Sequence, residues 1–129
     1  MIAEDYVSFE TAKFLKKKGF DAVCTMIYTA DGELLYTDVK HHNMYAVTNK
    51  QLEYYTDIIA PSQSMAMKWL REAQKINIEI ITYWTKDRNM VYGNRIVHDN
   101  VVLKEIDVAY CSYEEACEAA IKYCLETLI

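Results

Sequence analysis

The sequence predicts an α+β fold with a mainly antiparallel sheet of about five strands and three helices packed on one face, in the order α-ββ(β)-α-βββ-α. Three observations lead to this prediction. Three segments carry apolar residues at helical spacing behind a capping residue. Other segments alternate apolar and polar residues, as half-buried strands do. Short turn signals separate neighbouring strands, which favours antiparallel pairing.

The clearest helix is predicted at residues 112–128. Ser112 and Glu115 have the S-x-x-E spacing of a capping box, which satisfies free backbone amides at a helix start. Apolar residues then recur every three or four positions, as in a helix with one buried face. This stripe consists of Tyr113, Ala116, Cys117, Ala120, Ile121, Cys124, Leu125 and Leu128. It places two of the four cysteines in the predicted core.

Two further helices are predicted from their end signals. Ser8 is a favourable cap for a helix over 9–18, and Gly19 can adopt the left-handed conformation that closes a helix. Pro61 is suited to the start of a helix over about 62–74, because proline lacks an amide donor that a helix start would leave unpaired. The middle helix separates two groups of strands.

The first group is predicted to contain a hairpin over 23–39. Its Asp31-Gly32 pair is a strong signal for a two-residue turn, in which both residues need positive φ. Turn length sets the register of a hairpin. A two-residue turn at this place would bring Ile27 opposite Tyr36.

The second group is predicted to begin with another hairpin. Residues 76–84 alternate in polarity as a strand, and a four-residue loop over 86–89 leads into a strand over 90–97. This loop length would bring Tyr83 opposite Tyr92.

Two more strands are less regular. Residues 40–51 are mostly polar, and a third strand is predicted at 54–59. The final strand, 101–110, changes the phase of its apolar residues partway, which predicts a β-bulge near Lys104 and Glu105.

One face of the predicted sheet lacks helices and is unusually apolar. Its residues are Ile27, Leu34, Tyr36, Ile81, Tyr83 and Tyr92. A sheet face open to water normally carries polar residues, so this face is predicted to contact a partner protein or a second copy of the chain. Two alternatives stay open: cross-strand pairs that serve only the sheet's own stability, and a platform for a ligand.

Cysteine spacing indicates no metal site. The four cysteines, Cys24, Cys111, Cys117 and Cys124, form no C-x-x-C pair and match no zinc finger or ribbon. Cys117 and Cys124 lie on the buried helical stripe. Cys111 directly precedes the last helix, a position that can activate a thiol.

The histidines are the remaining candidates for chemistry. His41 and His42 are adjacent in the polar stretch, and His98 lies in a predicted turn. Neighbouring side chains of an extended segment diverge, so His41 and His42 would not readily share one ion. The alternative prediction is therefore a metal-binding protein or small enzyme that uses His41, His42, His98 or Cys111.

Composition and charge narrow the function classes. With 129 residues, 52% hydrophobic and 26% charged, the chain is predicted to be a single globular domain over 1–129. The net charge of −5 argues against nucleic-acid binding, which needs a basic surface. The three glycines fit no phosphate-binding loop, and no cofactor is expected. No membrane span or signal peptide is expected, so the predicted location is the cytoplasm.

Three segments carry a family resemblance. Residues 4–20, the helix at 60–72 with its Ala-Met-Lys-Trp-Leu-Arg-Glu run, and residues 113–126 resemble a family of short uncharacterised gut-bacterial proteins, often encoded on prophages or mobile elements. The resemblance implies a shared fold and a phage-like accessory role. It implies no activity, cofactor or catalytic residue, because the matching motifs are helix caps and helix faces.

These observations together predict a non-enzymatic protein-interaction or accessory module. Its partner would be a host protein or a second copy, bound through the aromatic sheet face. On this prediction, Ile27→Lys or Tyr83→Glu would release a homodimer and leave the fold intact.

Overall fold

The computed structural model describes residues 5–129, with the backbone alone for strand residues 105–109. The chain divides into two compact units, the first ending at Ser62 and the second spanning Gln63–Ile129. Each unit has its own three-stranded antiparallel sheet.

The first unit combines two helices with a small sheet. Its elements are α1 (Phe9–Lys17), β1 (Met26–Tyr28), β2 (Leu34–Tyr36), α2 (Thr37–Lys40) and β3 (Ile58–Ile59). The strand order is β2-β1-β3. The predicted caps of α1 are confirmed: Ser8 accepts a hydrogen bond from the Thr11 amide at 3.2 Å, and Gly19 has a φ of 91°.

The β1–β2 hairpin differs from its predicted register by one residue. Its loop has three residues, not two: Thr29 and Glu33 close it, and the Gly32 amide donates to the Thr29 carbonyl at 2.9 Å. Only Gly32 has positive φ, at 82°, as in a turn that ends in a left-handed glycine. Ile27 therefore pairs with Leu35, and a one-residue shift turns each side chain to the opposite face.

The second unit carries a longer sheet. Its elements are α3 (Gln63–Ala73), β4 (Ile76–Trp84), β5 (Met90–His98), β6 (Val101–Tyr110) and α4 (Tyr113–Tyr123), followed by a π-helical turn (Cys124–Leu128). The strand order is β4-β5-β6.

The β4–β5 loop also has three residues. The Thr85 amide donates to the Asn89 carbonyl at 2.9 Å, and Arg88 takes the left-handed position with a φ of 61°. The predicted four-residue loop is therefore wrong. In the observed register Thr82 lies opposite Tyr92, and Tyr83 lies opposite Val91.

Strand β6 joins β5 through a tight turn. Asp99 and Asn100 both have positive φ, at 51° and 63°, which is the backbone of a type I′ turn. The register of β6 slips twice, between Ile96 and Val97 and between Tyr92 and Asn94 of β5. These irregularities flank the pairs made by Lys104 and Glu105, where a single bulge was predicted.

Helix α4 packs on one side of this sheet. Its predicted cap is confirmed, since Ser112 accepts from the Glu115 amide at 3.1 Å. The Asn94 amide group donates to the Ala116 carbonyl at 3.1 Å and thereby ties β5 to the helix. Helix α3 contacts both α4 and β4. We call this the inner side of the sheet.

The predicted 112–128 helix does not stay α-helical to its end. It changes to a π-helical turn at Cys124, and the Ile129 amide donates to the Cys124 carbonyl at 3.2 Å. Its apolar stripe is buried over most of its length. The buried residues are Ala116, Cys117, Ala120, Ile121, Cys124 and Leu125.

The α+β class is confirmed, but a single five-stranded sheet with three helices is wrong. The described part of the chain has two three-stranded sheets and four α-helices. The predicted strand over 54–59 is reduced to Ile58–Ile59, which pairs with β1 and completes the first sheet. Helix α2 was not predicted; it starts directly after β2. Within residues 5–129 no helix is both long and apolar enough to span a membrane.

Candidate functional site

The six residues predicted to share one apolar face lie on two sheets. Ile27, Leu34 and Tyr36 belong to the first unit, while Ile81, Tyr83 and Tyr92 belong to the second. Ile27 is 0% exposed and so offers no surface to a partner, whereas Tyr36 is 60% exposed. The register shift explains this difference, because Ile27 shares a face with Leu35 and not with Tyr36.

In the second sheet the register shift likewise moves Tyr92 away from the predicted open face. Its ring contacts Tyr113 of α4 edge-on, with ring centroids 6.2 Å apart, so Tyr92 lies on the inner side. Ile81 and Tyr83 lie on the opposite side. Opposite residues of an antiparallel ladder share a face, so the observed register separates Tyr83 from Tyr92.

The side of the second sheet away from α4 is a continuous, mostly apolar surface, here named the outer face. Its described members are Asn77, Glu79, Ile81, Tyr83, Val91, Gly93, Arg95, Val97 and Val102. Tyr83 is 43% exposed and Val102 is 49% exposed, so both reach solvent. Exposed aliphatic and aromatic side chains on one sheet face are typical of a contact surface.

One ion pair lies among the apolar residues of the outer face. Glu79 and Arg95 are directly opposite on β4 and β5, and Arg95 Nε donates to Glu79 Oε2 at 2.6 Å. Both side chains are partly exposed, at 37% and 39%. The outer face therefore presents a positive and a negative group beside its apolar side chains.

The free end of the β4–β5 hairpin, here named the hairpin tip, is apolar on both sides. Tyr83 and Val91 form its outer side. Trp84 and Met90 pair on its inner side, with exposures of 68% and 43%. The alternating pattern of 76–84 assigned Trp84 to the covered side of the sheet, and Met90 was predicted only as the first residue of the next strand.

A second cluster of polar groups surrounds Asp57 in the first unit. Lys40 Nζ lies 2.7 Å from Asp57 Oδ1, and His41 Nε2 lies 2.8 Å from Asp57 Oδ2. The Asp57 side chain is 1% exposed. The His41 ring packs edge-on against Tyr55, with centroids 4.8 Å apart. We name Lys40, His41 and Asp57 the Asp57 cluster.

The electrostatics of the Asp57 cluster favour the carboxylate. Burial on its own would raise the pKa of Asp57, but the hydrogen bonds and charges of Lys40 and His41 outweigh it and lower the pKa. Both carboxylate oxygens are occupied, and the His41 side chain is only 9% exposed. The arrangement therefore anchors α2 to the segment before β3. The adjacent histidines marked His41 in the sequence, but no local pattern marked Lys40 or Asp57, which lie 17 residues apart.

The other candidates for chemistry are His42 in the first unit and His98 and Cys111 in the second, and the last two lie far from each other. His42 is exposed. His98 ends β5, and Cys111 follows Tyr110, which pairs with Tyr92 six residues away along β5. At about 3.3 Å per strand residue, His98 and Cys111 are roughly 20 Å apart. Among the described residues no group of three His, Cys, Asp or Glu side chains could hold a metal ion.

The cysteines differ sharply in exposure, which predicts one reactive thiol. Cys111 is exposed, while Cys24, Cys117 and Cys124 are buried. Burial raises the pKa of Cys24 to about 11 and that of Cys124 to about 12, so both stay protonated at neutral pH. We expect the native protein to react rapidly with one equivalent of Ellman's reagent, and Cys111→Ser to remove that reaction. A second fast thiol in the native wild type would contradict this arrangement.

Comparison of the chain with protein-family models, with curated proteins and with solved structures gave no match.

Proposed function

We propose that the chain is a non-enzymatic protein-interaction module that binds its partner through the outer face and the hairpin tip. The observation that carries the proposal is the hairpin tip, where Trp84, Tyr83 and Met90 are exposed at the end of two paired strands. A hairpin end that faces only water normally carries polar residues on at least one side. A partner that closes over it would remove this area from water.

The chemistry of the hairpin tip favours a protein over a small ligand or nucleic acid. Tryptophan, tyrosine and methionine are enriched in protein interfaces and supply many of their strongest contacts. A ligand site is usually a concave cleft, whereas these side chains project from a strand end. The net charge of −5 disfavours a phosphate backbone as partner. On the sequence pattern alone, the same proposal includes a cytoplasmic location and an accessory role like that of proteins encoded on mobile elements.

Photo-crosslinking at Tyr83 tests the proposal. Replacing Tyr83 with p-benzoylphenylalanine keeps an aromatic side chain on the outer face and captures whatever protein covers it. We expect discrete covalent adducts when cells that produce this variant are irradiated, because the partner's side chains would lie against the ring. Their masses are read by immunoblot and mass spectrometry.

The matched control is the same amino acid at Tyr54, which is 92% exposed but lies in the first unit, outside both surfaces. Adducts at position 83 that are absent at position 54 support the proposal. A position 83 variant that crosslinks no more than the position 54 variant would refute it.

A further inference from the structure

We infer that the partner of the outer face is a second copy of this chain, and that Glu79 and Arg95 set the register between the two copies. The inference rests on the proposed function and names its partner. The ion pair lies on two neighbouring strands of the outer face, between the Asn77–Val97 pair and the Ile81–Gly93 pair.

A partner that covers the outer face must also cover this ion pair. Withdrawing charges from water is costly unless further hydrogen bonds or opposite charges compensate. A purely apolar partner would leave Glu79 and Arg95 with less compensation than water gives them. The outer face therefore fits a partner that presents an acidic and a basic group at the same spacing.

A second copy presents that pattern. Sheets that pack face to face align their strands within about 30°. If the twofold axis runs along the strands between β4 and β5, each residue of β4 lies over its register partner on β5 of the other copy. Glu79 of one copy then meets Arg95 of the other, and the reverse contact follows by symmetry. The four groups form a ring in which each charge has opposite charges as its nearest neighbours.

The apolar residues fit the same arrangement. Tyr83 pairs in register with Val91, and Asn77 with Val97, so the axis places Tyr83 over Val91 of the other copy.

Charge exchange between two variants tests this inference. Glu79→Lys gives a face with two cations, and Arg95→Glu gives one with two anions. We expect each variant alone to dimerise at least about tenfold more weakly than wild type, because like charges would face each other across the axis. We expect an equal mixture to form a heterodimer that makes up clearly more than half of all dimers, the share that random pairing would give. Native mass spectrometry resolves the three species by mass.

Several controls keep the result decisive. Glu126→Lys changes the same kind of group in the second unit, on a side chain that is 41% exposed, and should leave the wild-type dimer unchanged. Circular dichroism checks that each variant is folded. If Arg95→Glu fails to fold, Glu79→Gln and Arg95→Gln replace the two variants. Each removes one charge without placing like charges side by side in one chain, and each should weaken the homodimer.

Two results would overturn the inference: a Glu79→Lys homodimer as stable as wild type, or a mixture with the statistical 1:2:1 composition. Photo-crosslinking at Tyr83 separates this failure from that of the proposed function. Adducts with another protein but none with a second copy would leave the interaction module standing and exclude self-association.

Discussion

Replacing Asp57 with alanine is expected to lower the free energy of unfolding by about 3 kcal/mol. The Asp57 side chain is 1% exposed and binds both Lys40 and His41. Without Asp57, the Lys40 ammonium and the His41 ring would lose their shared acceptor. Helix α2 would then lose its link to the segment before β3. The value is at the lower end for a broken buried pair, because Lys40 is 43% exposed and can turn towards water. Urea denaturation followed by far-UV circular dichroism measures the change.

Glu53→Ala is the matched control, since Glu53 is an exposed acid in the same unit. It should change stability by less than about 0.5 kcal/mol. If Asp57→Ala is as stable as Glu53→Ala, the Asp57 cluster does not anchor this part of the fold.

The same cluster predicts a pH dependence with a definite sign. The folded-state pKa of Asp57 is lowered from the ordinary value of 3.8. A lowered pKa stabilises the fold above 3.8, and that contribution is lost as the pH falls through the folded-state value. The stability difference between wild type and Asp57→Asn should therefore be present above pH 3.8 and shrink as the pH falls below it.

Ile27→Lys is expected to unfold the first unit, with a loss of more than about 4 kcal/mol. Ile27 is 0% exposed and pairs with Leu35 and Ile59 in the centre of the β2-β1-β3 sheet. A lysine there would bury an unpaired charge in place of an apolar side chain. Ile27→Ala should cost about 2–5 kcal/mol through the cavity alone. The expectation that Ile27→Lys leaves the fold intact is therefore withdrawn.

Tyr36→Lys is the control for Ile27→Lys, on a residue of the same sheet that is 60% exposed. It should stay within about 1 kcal/mol of wild type, since a lysine there remains in water. Urea titrations of both variants decide between the two registers of the β1–β2 hairpin. Equal stability of Ile27→Lys and Tyr36→Lys would favour the register in which both side chains share an open face.

Local signals in the sequence were sufficient for three helix ends. Ser8, Gly19 and Ser112 act within a few residues of themselves, so their caps could be predicted without the fold. Strand registers could not. The β1–β2 and β4–β5 hairpins close with three-residue loops, and in the second of these the left-handed position is taken by Arg88, a residue that gives no turn signal. Each one-residue error placed a residue of the packed side on the predicted open face: the buried Ile27 in one sheet, and Tyr92, which contacts Tyr113, in the other.

The sequence pattern also could not predict contacts between residues that lie far apart along the chain. His41 drew attention as one of two adjacent histidines, but its acceptor Asp57 lies 16 residues further along. Nothing local marks that pairing. The hairpin tip was missed because alternation assigns Trp84 to the covered side of the sheet, whereas Trp84 and Met90 are both exposed at the far end of the hairpin.

Light scattering on the wild-type chain and on Tyr83→Glu tests the central claim most directly. The chain mass is 15.1 kDa. Over chain concentrations from about 1 μM to about 1 mM, which cover dissociation constants of the same range, the wild-type mass should rise to twice the chain mass. Tyr83→Glu should remain at the single-chain value, because a carboxylate on the outer face would be buried without a partner. A wild-type mass that stays at 15.1 kDa over the whole range would contradict the self-association of the outer face.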